Sequence, residues 1–409
     1  IRSFSGTEIA FLACTAALSV ALIVLVYSHT NLFFYPEQDG HIVTRGAVYN
    51  ADTGAIMETD VFVNLNSDEN DLRRPLFGLF SLPFGITATW VSSLFGGGLP
   101  AYATALAGLQ AIALLFAMIL LSRLLRFNDM DQLCFLLLLF ISYPVLLFVL
   151  NIEQYVFAIF WLSLYLYAVC RGGTVPDDWQ TIAYAGAAGT LLPGGLLLFF
   201  SAGTGLRQTL MAMLRSFLTF LGFLVAFGQL PILTGAFQSL QGLSRLAYTS
   251  FEAPALKDKG MQYLVFIRDC LFAPATGIQV TFPNQDITYQ MEPAIVVSWL
   301  GCLLLVLALL GFILNYRDKF CLVCLTWLLL SYALLGLAGW RSAENAMVMY
   351  ALAFSWALIA LVYKGFHTLL AKRPIIRLSL AGAAFVALGA VNIKALRELI
   401  LFGLANYPR

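Results

Sequence analysis

The run EIAFLACTAALSVALIVLVYS over residues 8–28, followed by HTNLFFYPEQDGH over residues 29–41, decides how the rest of this chain is read. The first run matches the roughly 20 apolar residues that a helix needs to cross a bilayer core. It is too long and too apolar for a signal-peptide core and has no convincing small-residue cleavage site, so it reads as an uncleaved first span. The second run turns abruptly polar and places Glu37, Asp39 and His41 just past the membrane boundary.

Composition agrees with that start. Of 409 residues, 60% are hydrophobic and only 11% are charged, and the mean hydropathy is +0.85. Soluble domains carry roughly 25% charged residues, so a cytosolic enzyme and a disordered chain are both excluded. A formal net charge of +1 implies no pull toward nucleic acid. The seven cysteines fall mostly inside apolar runs and make no disulfide framework. Cys321 and Cys324 form a C-x-x-C without a second pair or a nearby histidine, so they read as packing residues and not as a zinc site.

Further spans are predicted near 100–122, 132–150, 152–170, 209–234, 294–314, 320–339, 345–363 and 375–393. Residues 180–201 are interrupted by Leu192-Pro193-Gly194-Gly195, which predicts a broken helix or a tight pair of half-spans. The expected fold is an all-α polytopic membrane protein with ten or eleven transmembrane helices. Arg123, Arg126, Arg171, Arg207, Arg215, Arg317, Lys319, Lys364, Lys372, Arg373 and Arg377 alternate onto one face, which the positive-inside rule makes cytoplasmic. The opposite face receives residues 29–99, 235–292 and the short connection Gly339–Asn345. The chain therefore divides into a core over 1–235 with its first outer loop at 29–99, a second outer loop over 236–292, and C-terminal helices over 293–409. Residues 76–95 are expected to form a helix at the outer interface, because a full crossing there would put Arg123 and Arg126 on the wrong side.

Few residues carry candidate chemistry. A carboxylate at the membrane boundary can take a proton from an acceptor hydroxyl, which suits Asp39, although the same residue could cap a helix. Glu37 could share that task or help hold a divalent cation such as Mg or Mn through its oxygens. Arg74 and Arg341 could clamp a phosphate bidentately or merely snorkel to the interface. Glu153 sits in a tight outer turn, either at the water boundary or aimed into a shared cavity, and Glu344 could pair with Arg341. His41 joins Arg74, Arg341, Glu153 and Glu344 as a candidate substrate-binding residue. His29, His41 and His367 are too scattered for a histidine metal site, and no nucleotide-binding glycine loop occurs. Arg245, Tyr248, Lys257, Lys259, Arg268 and Asp269 could contact an acceptor and read equally well as a solvated amphipathic surface.

Four elements together resemble the GT-C superfamily of integral-membrane glycosyltransferases: Phe34-Tyr35-Pro36-Glu37-Gln38-Asp39-Gly40 past span one, Arg73-Arg74-Pro75-Leu76-Phe77, the span ending Arg123-Leu124-Leu125-Arg126, and Leu150-Asn151-Ile152-Glu153-Gln154-Tyr155 ahead of the Leu-Leu-Pro-Gly-Gly break. The resemblance covers residues 1–235. It departs where relatives have adjacent acids and a His-Pro element, since this chain has Glu37-Gln38-Asp39 and Arg74-Pro75. The resemblance implies inverting hexosyl or pentosyl transfer from a polyprenyl-phosphate sugar to a glycan, lipid or protein acceptor. The site would face outward from a bacterial inner membrane. Asp39 or Glu37 would be the base, Arg74 or Arg341 would hold the phosphate, and no cofactor would be obligatory. Rival expectations are a transporter or flippase of lipid-linked saccharide and a noncatalytic membrane subunit; the acidic first loop favours the catalyst.

Overall fold

The computed structural model describes residues 4–36, 44–45, 48, 74–171, 177–201, 205–231, 256–274, 278–281, 286–289, 298–337 and 347–409. Seven described helices are long and apolar enough to cross a membrane: α1 (Gly6–His29), α2 (Phe77–Leu94), α3 (Leu99–Leu124), α6 (Gln154–Arg171), α8 (Leu206–Ala226), most of α12 (Met347–Leu369) and α13 (Pro374–Asn406). An eighth span arises if α4 (Asp129–Phe140) and α5 (Tyr143–Leu150), which meet at 65°, count as one. Between them in the chain lie α7 (Asp177–Thr190), α9 (Leu256–Asp269) and two shorter apolar helices, α10 (Trp299–Leu314) and α11 (Lys319–Ser331). The only described strands are two antiparallel pairs, β1 (Tyr35–Pro36) with β2 (Thr44–Arg45) and β3 (Ile278–Thr281) with β4 (Asp286–Tyr289). The chain is an integral, polytopic, helical membrane protein.

The basic turns gather at one end of the bundle. Arg123, closing α3, donates to both carboxylate oxygens of Glu8 in the first turn of α1, at 2.7 and 2.6 Å. Arg171 at the end of α6 donates to the Arg123 carbonyl at 2.5 Å. Lys319 reaches the Val169 carbonyl, Lys364 the Leu125 carbonyl, and Arg377 grips Asp131 with two bonds of 2.8 and 2.6 Å. At the opposite end the Tyr27 hydroxyl of α1 donates to the Leu150 carbonyl, and Thr30 and Asn31 both donate to the Tyr407 carbonyl beyond α13.

The Glu8–Arg123 pair makes α1 and α3 antiparallel, so the chain between them starts and finishes on the same side. A lone crossing by α2 would violate that. Residues 37–73 lie almost wholly outside the described residues, and their sequence, with Glu37, Asp39, Asp52, Glu58, Asp60, Asp68, Glu69 and Asp71, has no apolar run of span length. Instead α2 pairs with α3 as a hairpin, reversed by Gly96, Gly97 and Gly98 at φ 90°, 72° and 87°, a conformation that side chains with a Cβ resist. Its start lies beside the start of α6, with the Phe77 and Phe157 rings 6.0 Å apart and the Trp161 indole donating to the Phe80 carbonyl.

Three elements depart from regular spans. The single span expected at 132–150 is broken between α4 and α5, where Pro144 in the first turn of α5 has no N–H to continue the ladder. Asn392, wholly buried on α13, seals the break: its amide donates to the Ile141 and Leu271 carbonyls and accepts from the Ala273 N–H. Where the sequence predicts a broken helix or a pair of half-spans, α7 is followed by a 3₁₀ segment, Leu192–Phe200, folded back on it. Tyr184 and Tyr165 donate to the Gly195 and Leu197 carbonyls there, and a Cβ on Gly194 would come within 2.8 Å of the Ala187 carbonyl oxygen.

The third departure corrects the expected solvated surface at Arg268 and Asp269. Helix α9 packs inside the bundle: Tyr263 donates to the Leu328 carbonyl, Phe266 lies against Phe354, and Gly301 has no room for a Cβ beside the Leu264 carbonyl. Arg268 and Asp269 are buried and paired at 2.8 Å. Charge pairing lets them leave water, and the apolar face of Tyr263, Phe266, Ile267 and Cys270 carries them inward.

Candidate functional site

At the end opposite the basic turns, the connection between α5 and α6 is wholly buried, and its polar groups must be satisfied by protein. Gln110, midway along α3, does most of this. Its amide nitrogen donates to the Phe148 carbonyl at 2.9 Å and the Asn151 carbonyl at 2.8 Å, while its oxygen accepts from the Glu153 N–H at 3.0 Å. The Glu153 carboxylate accepts from the Gln154 N–H at 3.0 Å, placing negative charge at the N-terminus of α6, where the helix dipole favours it. Glu153 is fully buried and therefore not at the water boundary.

Arg74, just ahead of α2, donates to the Gln154 side-chain oxygen, and its guanidinium carbon lies 5.9 Å from the centre of the Phe77 ring. It is 5% exposed, so the snorkelling alternative is corrected: Arg74 turns inward. The neighbouring Leu76 N–H donates to the Gly189 carbonyl, tying this corner to the end of α7. Asn151 is also fully buried, and neither side-chain polar atom has a partner among the described residues. The structure thus brings two sequence candidates, Arg74 and Glu153, together through Gln154.

Glu37, Asp39, His41, Arg341 and Glu344 lie outside the described residues. Their described neighbours are informative. Tyr35↔Arg45 and Pro36↔Thr44 pair on either side of residues 37–43. The α1 end that leads into them is fastened to the turn by the Tyr27–Leu150 bond. A π-turn over Tyr332–Leu337 precedes Arg341, and α12 follows Glu344. Leu335 and Tyr350 from those elements line a small cavity of about 20 Å³ with Tyr155, Leu191 and Pro193.

Gln110 was not singled out by the sequence, and Asn151 and Gln154 entered only as neighbours of Glu153. The available signal was an amide within the otherwise apolar run of α3 and two more flanking Glu153. Among the described residues no cluster of three His, Cys, Asp or Glu could hold a metal ion. At the basic end, the Asp131 carboxylate receives Arg377, Tyr363 and, at 3.7 Å, His367; this joins α4, α12 and α13 and leaves the acid little capacity for other chemistry.

No family model, no curated protein and no solved structure matches this chain.

Proposed function

We propose that this chain is a membrane glycosyltransferase of the GT-C kind, moving a hexosyl or pentosyl group from a polyprenyl-phosphate donor to a glycan, lipid or protein acceptor. The reaction would take place on the outer face of a bacterial inner membrane. One observation carries the proposal: both described ends of the acidic first loop meet at the same buried turn. Tyr27 of α1 binds Leu150, and Arg74 binds Gln154. Asp39 is five residues from the buried Phe34, so the chain can extend at most about 18 Å between them. An acid that can accept a proton is thus within chain reach of the corner that holds Arg74, a guanidinium suited to a phosphate.

In this mechanism the acceptor hydroxyl attacks the anomeric carbon from the face opposite the phosphate, and Asp39 or Glu37 takes its proton. The bond between the anomeric carbon and the phosphate oxygen breaks with its electron pair leaving on the polyprenyl phosphate. That leaving group needs positive charge more than a proton, which is the task of Arg74 and Arg341. Glu153 acts indirectly, by fixing the Gln154 backbone whose side chain holds Arg74. The topology has eleven crossings when α4 with α5, α7 and the 3₁₀ segment are each counted, with α2 at the outer interface. A divalent cation at Glu37 is compatible with the chemistry and is not required by it.

Transport of a lipid-linked saccharide is the second proposal, favoured by the 3₁₀ segment and the π-turn, since broken helices are common around carrier sites. Purified protein given a panel of polyprenyl-phosphate sugars separates the two. Asp39→Asn should retain donor binding and lower turnover by about 10²- to 10⁴-fold, with Glu37→Gln as the neighbouring control. Unaltered turnover in both variants would leave the mechanism without its base.

A further inference from the structure

Away from the Arg74 corner, a cavity of about 350 Å³ lies between α10 and α13, within the range of about 300–1,000 Å³ typical of ligand sites. Leu304 and Leu307 of α10, Ile359 of α12, and Ala384 and Leu388 of α13 form its walls; Leu271 and Phe272, past α9, close one end. Tyr363, Leu370 and Arg377 close the other. Arg377 is committed to Asp131. A water inside would lack the two to four polar partners that hold buried water. The cavity opens sideways: Ala384 and Ala387 are exposed, as are Leu303, Val306 and Leu380 on the adjoining faces of its two walls. Its natural filling is hydrocarbon.

The closed base identifies which hydrocarbon. It lies at the basic end, where the α10–α11 and α12–α13 turns are joined by the bond from the Thr368 hydroxyl to the Asn315 side-chain oxygen, 3.0 Å. Lys372 and Arg373, two and three residues after the cavity-lining Leu370, are exposed. They directly precede the N-terminus of α13, a 33-residue helix whose first-turn N–H groups and dipole favour an anion. Cationic side chains and a helix N-terminus at the mouth of a dry groove suit a phosphate with a chain attached. We propose that this groove holds one acyl chain of an anionic phospholipid from the leaflet at the basic end, its phosphate resting on Lys372 and Arg373. This site is independent of the glycosyltransferase proposal and requires no activity.

The test places the full chain in bilayer discs of equal phosphatidylglycerol and phosphatidylcholine with matched acyl chains, then counts lipids retained after release by native mass spectrometry. One phosphatidylglycerol should be retained in at least tenfold preference. Ala384→Phe, which fills the groove, should abolish retention, while Val386→Phe, at an exposed position outside the cavity lining, should not. Lys372→Gln with Arg373→Gln, both at exposed positions, should remove the preference for phosphatidylglycerol. Equal retention of the two lipids by the unaltered chain, a preference that survives the charge substitutions, or full retention in Ala384→Phe would each overturn the proposal.

Discussion

Replacing Asn392 should loosen the bundle more than any other single amide removed from α13. Its side chain makes three bonds, to the Ile141 and Leu271 carbonyls at 2.8 and 2.7 Å and from the Ala273 N–H at 2.9 Å. In Asn392→Leu, Leu271 keeps a partner in the Tyr143 N–H, so two backbone groups lose theirs. Hydrogen bonds between membrane helices average only about 0.6 kcal/mol, because a chain unfolded within the bilayer finds other partners; on that scale the loss is about 2 kcal/mol. Two buried backbone groups left unsatisfied at about 1–3 kcal/mol each give about 2–6 kcal/mol. The two scales meet at about 2 kcal/mol, which is the expected destabilisation. The assay is thermal unfolding in detergent at a fixed scan rate, against Lys394→Ala, which breaks only an exposed pair at 3.9 Å and should cost well under about 1 kcal/mol. Asn392→Asp keeps the acceptor but loses both donors and buries a charge, so it should be at least as unstable. If Asn392→Leu melts with Lys394→Ala, the α4–α5 break is satisfied by something other than this amide.

Gly311→Ala should separate α10 from α12, because its Cβ would overlap the Leu361 carbonyl; a loss of about 1–3 kcal/mol is expected, whereas Gly108→Ala, which faces open space, should be tolerated in the same melt. Glu8→Gln leaves buried Arg123 without its carboxylate and should cost about 3–5 kcal/mol. Adding Arg123→Gln should recover part of that, and a double-mutant cycle without coupling would refute the pairing. Arg74→Gln should weaken binding of a polyprenyl-phosphate sugar at least tenfold, read as Kd; unchanged affinity would remove Arg74 from the donor site.

Long apolar runs announced the helices because hydrocarbon length is written directly in residue number, and α1, α3 and α6 begin and end within two residues of their expected limits. The α4–α5 bend was hidden because 132–150 is apolar on every face, leaving Pro144 as its only mark. Helix α9 was hidden for the opposite reason: Lys257, Asp258, Lys259, Arg268 and Asp269 lower its hydropathy, although apolar residues recur at Tyr263, Phe266, Ile267 and Cys270. At the candidate site, Arg74 and Glu153 were visible as charges beside apolar runs. The part played by Gln110 was not, since it depends on carbonyls 38 and 41 residues further along that only the folded chain brings alongside.

The clasp between α1 and α13 also has a history in time. Thr30 and the Tyr407 carbonyl it binds are separated by 377 residues, and Gly403 of α13 lies against Leu32, where an added Cβ would meet the leucine side chain at 2.8 Å. At synthesis rates of about 5–20 residues per second, the outer end of α1 waits roughly 20–75 s for this partner. Throughout that interval its polar groups must be covered by water, lipid headgroups or an insertion factor. A bulky substitution at Gly403 would therefore lengthen the wait, and its cost would fall on the yield of mature protein rather than on the performance of the molecules that finish.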